Sequence, residues 1–210
     1  MADKVFDFQV FLNESKETLL KPAEYFAKMP KEGGLVEPII KGLIYAVVAA
    51  LIGLIVTLIT PAAPSFGTMG AGVSISGIML NLVYSIIGLF IGGAILLVLS
   101  AICGGNTNYE ANLRAVASLM VLSPVYALLG LFGCIGHAGV TGVMIAGILV
   151  AIAGLAVVIY ACYMMYHALV KALGGKEGRA KVICIILAVI PTLVIISGLV
   201  CAGAVMQMAK

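Results

Sequence analysis

The chain has 210 residues, 63% of them hydrophobic and 10% charged, with a mean hydropathy of +1.21. A soluble domain carries about 25% charged residues, so a water-soluble fold is excluded and an integral membrane protein is indicated. The net charge of +3 gives no reason to expect nucleic-acid binding, because the cations are grouped along the chain in the manner of membrane topology.

The opening "MADKVFDFQV" lacks an apolar run behind a basic end, so no signal peptide is expected. Val5, Phe8, Phe11, Leu12 and Leu19 share one helical face, and Asp7, Asn13, Glu14, Lys16 and Glu17 lie away from it. Pro22 ends that helix and suits the first position of the next, "PAEYFAKM". Residues 1–37 are therefore predicted as an amphipathic cytoplasmic arm lying in the membrane interface. Docking of the arm on the cytoplasmic loops, or on a partner helix, is the alternative.

Residues 38–210 contain five apolar runs, and about 20 apolar residues cross a bilayer. The predicted spans are 38–60, 75–103, 112–132, 140–170 and 181–206. Pro61 and Pro64 stop the first, and Gly104 and Gly105 close the second. Strands alternating apolar and polar residues, as in a membrane barrel, are not seen. The expected fold is all-α: a polytopic bundle of five transmembrane helices with an N-terminal amphipathic interfacial arm.

Charges orient the bundle. Residues 42–102 and 115–170 hold no Asp, Glu, Lys or Arg, and seven of the nine acids fall within residues 1–37. Five spans place the six lysines of residues 1–41, Arg114, and Lys171, Lys176, Arg179 and Lys181 on one side, leaving Lys210 on the other. The positive-inside rule then makes the N-terminus cytoplasmic and the C-terminus external. Between spans two and three, "GGNTNYEANLR" is expected to form a tight cytoplasmic turn. Gly104 and Gly105 allow the turn, Tyr109 anchors it, and Glu110 and Arg114 pair four residues apart at an exposed rim. A pair in that setting contributes about 0–1 kcal/mol, so two roles stay open: a capped helix start, or a polar patch at the mouth of the bundle. The patch would combine Gly104, Gly105, Tyr109, Glu110, Arg114, Lys176 and Arg179, with His167 at its floor.

Three stretches carry a family resemblance. "KPAEYFAKMPKEGGLVEPI" (21–39) resembles the segment leading into the first span of prokaryotic members of the Yip family, the Ypt-interacting proteins. "GGNTNYEANLRAVASLMVLSP" (104–124) is similar to their loop of paired glycines, an aromatic, a Leu-Arg and a downstream proline. "YHALVKALGGKEGRAKVICIILAVIP" (166–191) resembles their exit from span four and basic return into span five. The resemblance implies a five-helix membrane protein with a cytoplasmic N-terminus and no known enzyme activity, in a prokaryotic plasma membrane. Eukaryotic relatives bind small GTPases and each other at Golgi and endoplasmic-reticulum membranes, and carry a longer acidic arm with a Leu-Tyr-Gly-Pro type motif. No such string occurs here, which puts small-GTPase binding in doubt for this chain.

Chemical motifs are few. No GxSxG, HExxH or phosphate-loop pattern is present, so no catalytic residue, metal or cofactor is expected. His137 and His167 belong at opposite membrane faces in this topology and cannot share an ion. The five cysteines have no CxxC spacing and suit small buried apolar positions, with Cys134–Cys201 pairing as the lesser possibility. Asn81, Ser85, Ser118 and Ser123 are the deepest polar residues and suit helix-to-helix hydrogen bonding. Gly88 and Gly92, four apart, suit close helix packing within the bundle or at a dimer seam. The leading reading is a non-enzymatic Yip-type membrane protein that organises membrane or recruits partners through its cytoplasmic face. Its expected partners are the lipid bilayer and copies of itself or other membrane proteins. A small-solute transporter or channel, lined by Asn81, Ser85, Ser118 and Ser123, is the alternative.

Overall fold

An uninterrupted apolar stretch drives each long helix. A computed structural model of the chain describes residues 7–59, 75–132 and 139–208, with backbone alone at 75–76, 139–144 and most of 195–208. The arm forms α1 (Phe8–Leu20) and α2 (Pro22–Lys28), followed by α3 (Val36–Ile59), α4 (Ile75–Cys103), α5 (Tyr109–Leu119), α6 (Ser123–Leu128), α7 (Gly139–His167) and α8 (Glu177–Met208). Among the described residues there is no strand. Among the described residues, four stretches are long and apolar enough to cross a membrane: Val36–Ile59, Gly77–Cys103, Tyr109–Phe132 and Ile145–Ala172. At ~1.5 Å per residue, the 24 residues of the first extend about 36 Å, more than the ~30 Å hydrocarbon core. Ile55, Ile95, Ile152 and Ile185 face outward and are more than half exposed, a belt that lipid must cover. The protein is an integral membrane protein.

The third run is not one continuous α-helix. α5 passes through a 3-10 turn at Met120–Leu122 before α6 begins. Pro124 causes this, because its ring clashes with the carbonyl four residues back and it has no N–H to donate. The fourth run also changes character at its end. α7 opens into a π turn at Ala168–Ala172, with Leu173 N–H donating to Ala168 O at 3.0 Å. Gly174, at φ +70°, then ends the helix in the left-handed region that glycine occupies without penalty. α3, α5 and α8 begin two to four residues before the expected spans, at Val36, Tyr109 and Glu177. Their first turns hold Glu37, Glu110 and Glu177, acids that suit a helix N-terminus but not hydrocarbon.

The core lies at the arm end of the bundle. α2 packs on the π turn and α7, and α1 packs on α2 and reaches α5. Tyr25, Phe26 and Met29 of the arm are buried with Tyr45, Met164, Leu169 and Leu173. The face expected to meet lipid therefore meets protein at Phe11 and Phe26, while Phe8 stays 59% exposed. Each large apolar side chain so buried contributes about 1.5–3 kcal/mol relative to water, and the hydrogen bonds of Tyr25 and Glu14 to Lys41 and Ser118 are what only protein, not lipid, supplies to the arm. Cys103, Cys162 and Cys184 are free, and Cys103 and Cys184 are buried, as expected of apolar cysteines. The Cys134–Cys201 pairing, His137 and the loop 61–74 lie outside the described residues.

Candidate functional site at the arm–bundle junction

The linker from arm to bundle contains Gly33 and Gly34, with φ of +137° and +90°. In that conformation Gly34 offers both of its backbone groups to one ion pair. Its N–H donates to Glu110 Oε1 at 2.6 Å, and its carbonyl accepts from Arg114 Nη2 at 3.0 Å. A Cβ at Gly33 would lie 2.7 Å from Arg114 Nη2, so a side chain cannot be added there without moving the guanidinium. Arg114 Nε donates to Glu110 Oε1 at 3.2 Å, and Arg114 Nη1 donates to Glu37 Oε2 at 2.7 Å. Arg114 is 5% exposed.

This corrects the expectation of an exposed rim pair. The guanidinium is a buried fork holding two carboxylates and a carbonyl. Glu37 and Glu110 keep part of their side chains at the surface, so hydrogen bonds of this charged kind contribute about 1.5–3 kcal/mol, still above the value for a surface pair.

A second buried cation lies one layer in. Lys41, also 5% exposed, donates to Glu14 Oε2 on α1 and to the Tyr25 hydroxyl on α2, each at 2.8 Å. The Tyr25 hydroxyl lies 2.8 Å from Ser118 Oγ, which donates to Arg114 O at 3.0 Å. Ser15 Oγ and Tyr45 Oη are 2.7 Å apart, and the Tyr160 hydroxyl donates to Leu19 O. Glu14, Lys41, Tyr25, Ser118 and the Arg114 carbonyl thus run in one connected series from arm to α3 and α5, with the Ser15–Tyr45 and Tyr160–Leu19 bonds as separate ties. That is how charge persists in a low-dielectric interior.

Two loops continue this surface. Asn106 N–H donates to Leu173 O at 2.6 Å, and Lys176 N–H donates to Cys103 O at 3.0 Å. Ser100 Oγ and Asn112 Nδ2 both donate to Asn106 O. At Gly105 a Cβ would meet Leu173 O and Ser100 Oγ at 2.8 Å, so the loops touch through backbone. Arg179 Nη1 reaches Ile102 O at 3.1 Å.

Of the expected patch, Gly104, Gly105, Lys176 and Arg179 come together at these loops, and Glu110 and Arg114 join the linker beside them. Tyr109 turns away from the headgroups and donates to Phe90 O at 3.0 Å. His167 packs against the rings of Tyr163 and Tyr166, at 4.6 and 5.2 Å between centroids. Among the described residues neither of its ring nitrogens has a hydrogen-bond partner, so it is not bonded into the loop surface.

Other expected positions are dispersed. A Cβ at Gly92 would meet Val116 Cγ1 at 3.0 Å, whereas nothing lies within 4 Å of one at Gly88. Gly92 therefore seats α5, and Gly88 faces outward. Asn81 is half-buried on α4. Ser118 is sealed under the arm, while Ser123 lines an apolar cavity of about 420 Å³ with Met120, Tyr126, Cys162, Met165 and Leu187. Those two serines do not share a pathway.

The sequence reading missed Lys41, Glu14, Tyr25 and Glu37 as members of the junction. One signal was available. Lys41 is the only charged residue between Glu37 and Glu110, and a cation at the start of an apolar run requires a partner. Which partner depends on how the arm folds back.

Apolar helices of spanning length, clamped at one end by a helical arm, define a polytopic helical membrane protein. The Yip1 domain matches residues 16–199, and the chain belongs to that family. The match includes Tyr25, Gly33, Gly34, Lys41, Glu110 and Arg114. The family is not a known enzyme family. No curated protein and no solved structure matches the chain.

Proposed function

We propose that the chain is a non-enzymatic multi-pass membrane protein of Yip type that organises membrane or recruits partners through its cytoplasmic face. One observation carries this reading. The buried Arg114 fork, bonded to Glu37, Glu110 and Gly34, ties the linker to the bundle beside the two bonded loops, so arm and loops form one surface of fixed shape. Burying a guanidinium costs desolvation that an apolar contact would not. Its return is a single arm pose, which a recognition surface needs and a lipid anchor does not. In this reading α8 is a fifth span, since residues 182–206 hold no charged residue. Eleven cations then share the inner side, with the N-terminus cytoplasmic and the C-terminus outside a prokaryotic plasma membrane. The exposed part of α1, led by Phe8, would lie in the headgroup interface. Gly88 remains the candidate contact between copies.

Site-directed photocrosslinking tests the proposal. Probes at Glu32 and Thr107, both exposed, should capture the same partner in intact membranes, and a probe at Ile190 on the apolar face of α8 should not. Absence of capture at both positions, with solute uptake by proteoliposomes that Ser123→Ala abolishes, would instead favour the transporter alternative. External labelling of a tag at the N-terminus of intact cells would overturn the topology.

A further inference from the structure

We infer that the turn joining α7 to α8 is a binding surface for the headgroups of anionic lipids. Residues 171–181 contain Lys171, Lys176, Arg179 and Lys181 against Glu177 alone, and all five are exposed. Among the described residues the ion pairs lie elsewhere: Lys21–Glu24, Lys28–Glu17, Lys41–Glu14, and Arg114 with Glu37 and Glu110. The turn therefore presents a local excess of positive charge that the protein does not neutralise.

Height in the membrane identifies the counter-charge. Lys181 and Ile185 are four residues apart and share a face of α8, and Ile185 is 61% exposed. Val182, Ile186 and Val189 are exposed beside it. The lysine thus stands about 6 Å, one helical turn, above an apolar surface that hydrocarbon must cover. On α7, Tyr163 is exposed two turns below Lys171, where aromatic rings mark the interface. An anion at that level is a lipid phosphate. A soluble acidic partner would have to approach from above, yet Gly174, Gly175 and Lys176 are the whole connection beyond Leu173 and project no loop to meet it. The turn is also fixed in place by the Asn106–Leu173 and Lys176–Cys103 hydrogen bonds, so little ordering is lost when a headgroup binds. A zwitterionic headgroup brings its own ammonium group and cannot neutralise the cluster; a net anionic one can. The inference rests on the proposed reading that α8 as well as α7 crosses the bilayer, and stands apart from partner recruitment.

Lipid retention tests it. The full chain is reconstituted with phosphatidylcholine and phosphatidylglycerol in equal amounts, re-extracted in neutral detergent, and its retained lipids are quantified by mass spectrometry. Wild type should retain phosphatidylglycerol over phosphatidylcholine by roughly five-fold, about the factor one well-placed cation contributes at an anionic surface. Combined Lys171→Gln, Lys176→Gln and Lys181→Gln should bring the ratio near one, and the same three changes to Arg should keep it high. Removal of equal charge from the arm, by Lys16→Gln, Lys21→Gln and Lys31→Gln, should lower it far less. Equal loss in the turn and arm variants, or no preference in wild type, overturns the inference. Displacement of the retained lipid by equimolar inorganic phosphate would also overturn it, and assign the site to free phosphate.

Discussion

Arg114 and Lys41 at the arm–bundle junction are each 5% exposed and held by carboxylates, hydroxyls and a carbonyl. Lys171, Lys176 and Lys181 at the α7–α8 turn are exposed and unpaired among the described residues. All five cations count equally toward the positive-inside rule, yet their energetics are opposite. A buried cation is fixed by specific partners and is little screened by salt. An exposed one interacts with whatever anions the membrane surface supplies, and salt weakens that interaction. Topological charge and structural charge are therefore different properties, even a few residues apart from the same loop surface.

Substitution should separate the two regions most widely at Arg114. Arg114→Gln leaves Glu37, Glu110 and the Gly34 carbonyl without their donor, and should destabilise the fold by about 1.5–3 kcal/mol, the range for hydrogen bonds to charged groups. A large fall in melting temperature in detergent, nearly independent of salt, would sharpen the contrast. An unchanged melting temperature would break it, and return Glu110–Arg114 to the status of a surface pair.

An intermediate effect is expected at the linker. Gly33→Ala places a Cβ against Arg114 Nη2 and forces a non-glycine residue to adopt φ +137°. A left-handed conformation costs about 1–2 kcal/mol. Proteolysis should detect the loss as faster cleavage between α2 and α3, with the bundle intact. Cleavage at the wild-type rate would mean that the linker is not held by Arg114.

The smallest effect belongs to the turn. Lys171→Gln, Lys176→Gln and Lys181→Gln together should change thermal stability by no more than about 0.5 kcal/mol per site, although the same changes remove the lipid preference. A collapse in stability would show that these lysines are structural, and the two regions would no longer differ.

Hydropathy and charge grouping were sufficient for the membrane class, the helical fold, and the position of each apolar helix to within a few residues. Those properties depend on composition over about twenty residues, and a bilayer imposes them on any chain of that kind. The paired glycines, the basic turn and Pro22 were also readable, because each acts through its own backbone or its own charge. The partners of Arg114 and Lys41 were not. Glu37 lies 77 residues from Arg114 along the chain, and Glu14 lies 27 from Lys41. Only the fold-back of α1 and α2 onto α3, α5 and the π turn of α7 brings them within hydrogen-bond reach. The same fold-back turned Phe11 and Phe26 from lipid to protein. An amphipathic helix satisfies its apolar face equally well against either, and the pattern of residues along it is the same in both cases. Tertiary packing decided between them, by offering Phe26 a fully enclosed site and Tyr25 two buried partners for its hydroxyl.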